Sequence, residues 1–328
     1  MIKKELEPSL RLKKLHVLQR RLSKNHPKFQ EIESELGKRM AGYKGEKSLQ
    51  YYLSFLDEKR YHIFHGLRIK DPANGQFFEM DVLVISPTHF LILESKNLRG
   101  ELHFDHIFDQ LIQTNENKKI SYTSPLAQIN RQQFQLKRLL MHNNYPIPPL
   151  QTLLVITNSS AILSTTQGHP HIQKITHSVN LLQKFNKYER QFKNGDLTGK
   201  QIQKLTNQLL KMNTPFDEDI LMKFGINEDD LLKGVFCPIC NTLPMKRTQR
   251  KWDCTDCGYS SRTAHIDSLT DYILLFGTTI TNRKLRDFLL LPSCSAAQRI
   301  LNSVSIDFDG NTKGRVYYLS KNPSYNHI

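Results

Sequence analysis

The sequence predicts a mixed α/β domain in its first half, with a mixed sheet flanked by helices, then a small metal-stapled module and a terminal α+β unit. Three observations carry this expectation. Residues 82–85 and 90–93 are short apolar runs on either side of Ser86-Pro87-Thr88-His89, the pattern of a β-hairpin. Four of the five cysteines stand as Cys237-Pro-Ile-Cys240 and Cys254-Thr-Asp-Cys257, a spacing that suits one metal ion. After residue 265, three short helical patterns precede a glycine-turned hairpin.

The 328 residues leave room for about two or three domains. A hydrophobic content of 38% against 23% charged residues allows a packed core under a well-solvated surface. No apolar run reaches membrane-spanning length, and "MIKKELEPSLRLKKLHVLQRR" lacks the apolar centre of a secretory signal, so a cytoplasmic protein without a membrane partner is expected. The formal net charge of +15 favours a polyanionic partner.

Taken in order, residues 1–40 read as a basic helical arm, with seven Lys or Arg and no acid over residues 11–28. Residues 41–190 form the α/β domain. Its first helix opens at Gly45-Glu46, with Leu49, Tyr52, Leu53 and Leu56 on one face. "YHIFHGLRI" is a strand, "DPANG" a turn, and the hairpin follows. No element is assigned to "LRGELHFDHIFDQLIQTNENKKISYTS". Thr123 or Ser124 caps a second helix that has Pro125 in its first turn. "TLLVIT" and "HIQKIT" are strands, and "SVNLLQKFNKYERQF" closes the domain as a helix. Residues 191–233 read as a helical linker or extension, residues 234–262 as the cysteine module and residues 263–328 as the last unit.

The hairpin carries the chemistry. A turn centred between Pro87 and Thr88 sets Asp81 opposite Glu94, and Lys96 shares a face with Glu94 because alternate strand residues point the same way. Two carboxylates that close repel by about 4 kcal/mol at an effective dielectric of about 20. A positive charge should therefore sit between them.

Asp81, Glu94 and Lys96 stand in the order D…ExK, and in this context residues 42–160 resemble the nuclease-related domain (NERD) family of the PD-(D/E)xK nuclease superfamily. The resemblance is carried by Gly42-x-x-Gly45-Glu46, by "EMDVLVI", by "LESKN" and by "SPLAQINRQQFQLKRLL" with Gln128. Met80 stands where the superfamily name has proline. The resemblance implies a restriction-endonuclease-like core and a nuclease site made of Glu46, Asp81, Glu94, Lys96 and Gln128. Phosphodiester hydrolysis suits these residues: Asp81 and Glu94 would hold Mg²⁺ or Mn²⁺, and Lys96 would orient water or stabilise the transition state. Glu46 would reach in from the helix, and Gln128 would hold a phosphate or position a ligand.

Four cysteines complete a tetrahedral thiolate site and leave no open position, so one structural Zn²⁺ is expected. The segment resembles a topoisomerase-like zinc ribbon. Between its knuckles lie Lys246, Arg247, Arg250, Lys251 and Trp252, a mixture suited to phosphate contact and base stacking. The last unit resembles a winged helix-turn-helix, with Thr281 and Ser293 as helix caps, Arg299 facing DNA, and Lys313 and Arg315 on the wing. Cys294 reads as a small buried thiol and the histidine pairs His103/His106 and His169/His171 as surface or loop residues. The expected function is a metal-dependent DNA nuclease; the alternative is a non-catalytic DNA-binding regulator or adaptor built on a degenerate nuclease fold. An RNA substrate fits the same residues, since nothing here reads a 2′-hydroxyl. The sequence does not set the oligomeric state.

Overall fold

A computed structural model describes residues 1–116, 118–195, 197–311 and 314–320. The chain divides into two compact units, one of residues 1–9 and 38–216, the other of residues 10–37 and 217–328. Strand β1 (Ile2–Lys4) belongs to the first unit and helix α1 (Leu10–Arg21) to the second. Helix α2 (Phe29–Leu53) runs unbroken through "FQEIESELGKRM" and "GYKGEKSLQYYL", so Gly37, Gly42 and Gly45 do not start a new helix.

The first unit is built on a six-stranded mixed sheet. Strands β2 (His62–Lys70), β3 (Phe77–Ile85) and β4 (Phe90–Lys96) are antiparallel neighbours. An inserted meander, β5 (Glu101–Asp105), β6 (Gln110–Asn115) and β7 (Lys118–Thr123), then precedes α3 (Pro125–His142). Strand β8 (Leu150–Ile156) returns parallel to β4, and β10 (Ile175–His177) adds parallel to β8. The sheet order is β1-β2-β3-β4-β8-β10. The meander, joined by β9 (Ile162–Thr165), forms a separate sheet in the order β7-β6-β5-β9. This is the stretch to which the sequence assigned no element. All six residues of its edge strand β7 are exposed.

Both faces of the main sheet are covered, which is why β4 is buried from Phe90 through Glu94. On one face, Leu136, Leu139 and Leu140 of α3 pack with Ile202, Leu205 and Leu209 of helix α5 (Gly199–Met212). Thr198 and Gln201 close a reciprocal cap on α5. That helix lies beyond residue 190, where the sequence reads an extension, yet it shares a core with β2, β3 and β4. On the other face, Leu49 and Leu53 of α2 meet Leu181, Phe185 and Tyr188 of helix α4 (Leu181–Gln191) over Val82, Val84, Leu91 and Leu93.

The hairpin register is the expected one, with Val82 opposite Leu93 and Ile85 opposite Phe90. Phe78 and Met80 share a cluster with Leu83 and Ile85, so strict alternation slips by one residue at Asp81. Gly66, between His65 and Leu67 that pair with Val82 and Met80, takes φ +56° at the same level. Only glycine adopts that conformation at little cost, and the resulting kink reorients the chain beside Asp81.

Glycine has a second specific use at Gly45. A Cβ there would stand 2.7 Å from Asn97 Cβ and 2.8 Å from Thr157 Oγ1. Asn97 in turn donates from Nδ2 to the Ala41 carbonyl at 2.8 Å. The bare backbone thus lets α2 lie on the strand ends and holds Glu46 next to them.

In the second unit, the basic residues 11–28 are not a free arm. Leu12, Leu15 and Leu18 of α1 are buried, and Arg21, wholly buried, donates from Nε to Asp271 Oδ2 at 2.6 Å. Asp271 lies on α7 (His265–Phe276), after α6 (Ile220–Phe224) and the short strands β11 (Lys246–Thr248), β12 (Lys251–Asp253) and β13 (Ser260–Ser261). Then come β14 (Thr279–Thr281), α8 (Asn282–Leu289), α9 (Cys294–Val304), β15 (Ser305–Asp309) and β16 (Val316–Leu319), with β16 between β14 and β15. Thr281 and Ser293 cap α8 and α9, their hydroxyls accepting from the Lys284 and Ala296 amides.

Two stability tests follow from this packing. Gly45→Ala gains about 1 kcal/mol of helix propensity but meets a clash that costs about 1–3 kcal/mol, so urea unfolding should show a net loss. Asp271→Ala strands the Arg21 charge in the core and should cost about 3–5 kcal/mol by the same measurement; an unchanged midpoint in either variant would contradict the packing described.

Candidate active site and metal centre

The end of the β3–β4 hairpin gathers the expected residues. Asp81 Oδ2 accepts from the Ser95 amide at 2.8 Å and from Ser95 Oγ at 2.9 Å. Glu94 Oε1 accepts from Lys96 Nζ at 2.7 Å and from Gln128 Nε2 at 2.7 Å, and Lys96 also donates to Gln128 Oε1 at 3.3 Å. The remaining oxygen, Glu94 Oε2, accepts from Gln132 Nε2 at 2.9 Å. Glu94, Lys96 and Gln128 are thus one hydrogen-bonded group.

Like charge dominates the electrostatics. Burial first, then the charges of Glu94 and Glu46, hold the Asp81 carboxyl well above its usual range. Glu46 takes no hydrogen bond or ion pair among the described residues, and burial followed by Glu79 and Glu94 pushes it up to about 7. For Lys96, burial alone would favour the neutral amine, but the Glu94 charge outweighs it and the ammonium is held more firmly than usual. A second lysine contributes. Lys4 Nζ donates to the His65 carbonyl at 2.6 Å, and its charge acts on both Glu46 and Glu79.

Three of these residues escape sequence reasoning. Gln132 lies one helical turn beyond Gln128, a spacing that could have signalled it. Glu79 stands in the quoted "EMDVLVI", two residues before Asp81. Lys4 arrives by a parallel pairing of β1 with β2, which no local pattern announces.

The donor set fits a hard divalent cation. A carboxylate has about four lone-pair positions. Three on Glu94 are taken by Lys96, Gln128 and Gln132, which leaves one, while Asp81 Oδ1 takes no hydrogen bond among the described residues. The acids of β3, β4 and α2 do not reach the 4.8 Å mutual spacing that the four cysteines show. That openness suits a cation that keeps several of its waters.

Cys237, Cys240, Cys254 and Cys257 are, among the described residues, the group of His, Cys, Asp or Glu closest to a finished metal site. Their Sγ–Sγ distances of 3.6 Å (Cys237–Cys257) and 3.4 Å (Cys240–Cys254) approach the roughly 3.8 Å of a tetrahedron with Zn–S of about 2.3 Å. The two knuckles share one backbone pattern. Asn241 (φ +58°) and Gly258 (φ +72°) follow the second cysteine of each and turn left-handed there, donating their amides to the Cys237 and Cys254 carbonyls. Asn and Gly are the residues that tolerate this conformation best.

The surface residues divide. Lys246, Arg250, Lys251 and Arg299 are exposed, and Arg247 and Arg315 are half-buried. Arg315 lies over the Phe308 ring at 4.3 Å, and Lys313 falls outside the described residues. Trp252 corrects the expectation of a stacking platform: it is wholly buried, donates to His265 Nδ1 at 3.1 Å and packs in the unit's core. A base cannot reach it there. Cys294 is exposed, not buried, and donates to Asn282 Oδ1. The two histidine pairs partly meet, with His106 and His169 rings 5.1 Å apart and His169 buried rather than on the surface.

The raised acid has a consequence for stability. Glu46 rises from an ordinary 4.5 to about 7, so it adds stability that is fully present below about 4.5 and is lost as pH rises through about 7. Buried histidines such as His65, held down to about 4, act in the opposite sense. The melting-temperature difference between the metal-free protein and its Glu46→Gln variant removes that background. This difference should shift against the wild type as pH rises from 5 to 8; a flat difference would refute the assignment.

No curated protein and no solved structure matches the chain. No helix among the described residues is long and apolar enough to cross a membrane. Residues 41–157 match the family model of the nuclease-related domain. That match spans α2 from residue 41 through β8, the segment that brings Glu46, Asp81, Glu94, Lys96 and Gln128 together. The cysteine cluster beyond it is positioned to bind a metal, as a zinc ribbon requires. This part of the chain is therefore a nuclease-related domain (NERD), with the restriction-endonuclease-like fold of that family.

Proposed function

We propose that the protein is a metal-dependent DNA nuclease that hydrolyses phosphodiester bonds. The observation that carries this reading is the meeting of Asp81 on β3 and Glu94 and Lys96 on β4 with Gln128 on α3, with Glu46 of α2 beside them. Asp81 and Glu94 would hold Mg²⁺ or Mn²⁺, which would polarise the phosphoryl oxygen and lower the pKa of the attacking water. Gln128 and Gln132 fix the Glu94 carboxylate in one orientation. Lys96, held charged, faces the negative charge that builds on the phosphorane-like transition state. Glu46, poised near 7, is suited to take up the proton that water releases.

The second unit supplies the grip. The order α7, β14, α8, α9, β15, β16 supports a winged helix-turn-helix, with α9 presenting Arg299 and the β15–β16 hairpin presenting Arg315. Lys246, Arg250 and Lys251 on the ribbon hairpin suit phosphate contact, and one Zn²⁺ on the four cysteines would fix that hairpin. An RNA substrate remains chemically open to the same residues. One observation favours the second reading, a non-catalytic DNA-binding regulator or adaptor: Lys96, Gln128 and Gln132 already take three of the four lone-pair positions of Glu94.

A cleavage time course separates the two. Linear duplex, circular single-stranded and supercoiled DNA are each incubated with Mg²⁺ or Mn²⁺, beside Glu94→Ala and Lys96→Ala. The nuclease requires metal-dependent cutting that Glu94→Ala abolishes and Lys96→Ala lowers by roughly 10²–10³ in rate, while DNA binding persists. Folded, zinc-loaded protein that binds DNA and cuts none of the substrates would instead establish the regulator.

A further inference from the structure

Helix α2 delivers Glu46 to the site and turns a different face to water. Gly45, Leu49 and Leu53 recur at four-residue intervals and are buried. Lys44, Lys47 and Tyr51 lie on the opposite side of the helix, three and four residues apart, and all three are exposed. Phe55 continues that line just past the helix end, where the Ser54 amide still donates to the Gln50 carbonyl. These four side chains form one stripe on the first unit, with ammonium groups at one end and rings at the other.

The rings are held in place. Tyr51 is 65% exposed and Phe55 57%, and Tyr51 meets Tyr52 and Phe55 edge to face with centroids 5.2 and 5.1 Å apart. Tyr52 is anchored in turn against the core of Leu49 and Leu53. A base that stacks on a ring already fixed loses little affinity to side-chain ordering. Trp252, buried in the second unit, cannot offer such a face.

Charge selects the occupant. Residues 38–56 hold four Lys or Arg and a single acid, Glu46. Neither Lys44 nor Lys47 has an ion pair among the described residues. A second copy of the chain would set the lysines of two such helices against one another. A duplex keeps its bases inside, whereas a single strand brings phosphates to the lysines and open bases to the rings. Resting on the reading that the chain acts on DNA, we infer that the outer face of α2 is a docking track for single-stranded DNA. Lys44 and Lys47 take its phosphates, and Tyr51 and Phe55 stack its bases. Lys47 adjoins Glu46 in the same helix, so the bound strand and the acid share one rigid element.

Fluorescence anisotropy tests the track. Full-length, zinc-loaded Glu94→Ala protein without Mg²⁺ is titrated with labelled oligothymidine, and with oligouridine and a DNA duplex of the same length. Oligothymidine should bind, and Tyr51→Ala and Phe55→Ala should each weaken it by about fivefold or more, the effect of losing one stacked base. Duplex binding rests on phosphate contacts and should not change in either variant. Tyr51→Trp should keep the single-strand affinity. Replacing Lys44 and Lys47 together by Gln should flatten the log–log salt dependence for the single strand by about 0.7 per lysine. No binding of oligothymidine, no loss in the Ala variants, or a loss of equal size on strand and duplex overturns the proposal. Tighter binding of oligouridine also overturns it, because the track would then belong to RNA. The assay uses Glu94→Ala, so a protein that never cuts DNA can pass it and an active nuclease can fail it.

Discussion

Repulsion between carboxylates is the constraint to which the first unit answers. Glu46, Glu79, Asp81 and Glu94 act on one another through a partly buried region, and a fold that merely buried them would lose stability. The chain meets the problem with fixed donors. Lys96, Gln128 and Gln132 hold Glu94, Ser95 holds Asp81, and Lys4 adds charge from a strand at the sheet's far edge. The residual imbalance stays in Glu46 and Asp81 as raised proton affinity.

Glycine sets the geometry in which that imbalance is useful. Gly66 kinks β2 at the level of Asp81, and Gly45 allows α2 to touch Asn97 and Thr157. Neither residue has a side chain to contribute, and both decide where others point. The second unit uses the same device around its cysteine cluster: Asn241 and Gly258 turn the two knuckles so that four sulfurs converge.

Much of this was legible from local rules. The hairpin register followed from one turn, and the caps Thr281 and Ser293 and the helix begun at Pro125 followed from residue type alone. What local rules missed depended on distant pairing. The meander of β5, β6 and β7 went unassigned although Leu102 and Phe104 alternate in burial with their neighbours, because its partner β9 and its cover, Leu126 and Ile129 of α3, come later in the chain. The single α2 helix was hidden because glycines usually end helices, and here packing outweighs propensity. Trp252 looked like a stacking platform because it sits among arginines; its burial depends on His265 and the helices that follow. Residues that gather along one hairpin are readable from spacing; Glu46 and Gln128, delivered by helices, entered through the family resemblance, and Lys4 and Gln132 through neither.

The exposed strand β7 bears on how the molecule behaves in company. As the last strand of its sheet it offers unpaired backbone groups that a strand from a neighbouring copy could extend, and Ile120 and Tyr122 would reward that contact with buried apolar surface. Lys118 and Lys119 at its start set the opposing cost, since an incoming strand would have to strip water from two ammonium groups. High salt screens the repulsion between copies of a chain with net charge +15 and removes the long-range part of that barrier. Concentrated, salt-rich solutions are therefore where self-association through β7 should first appear.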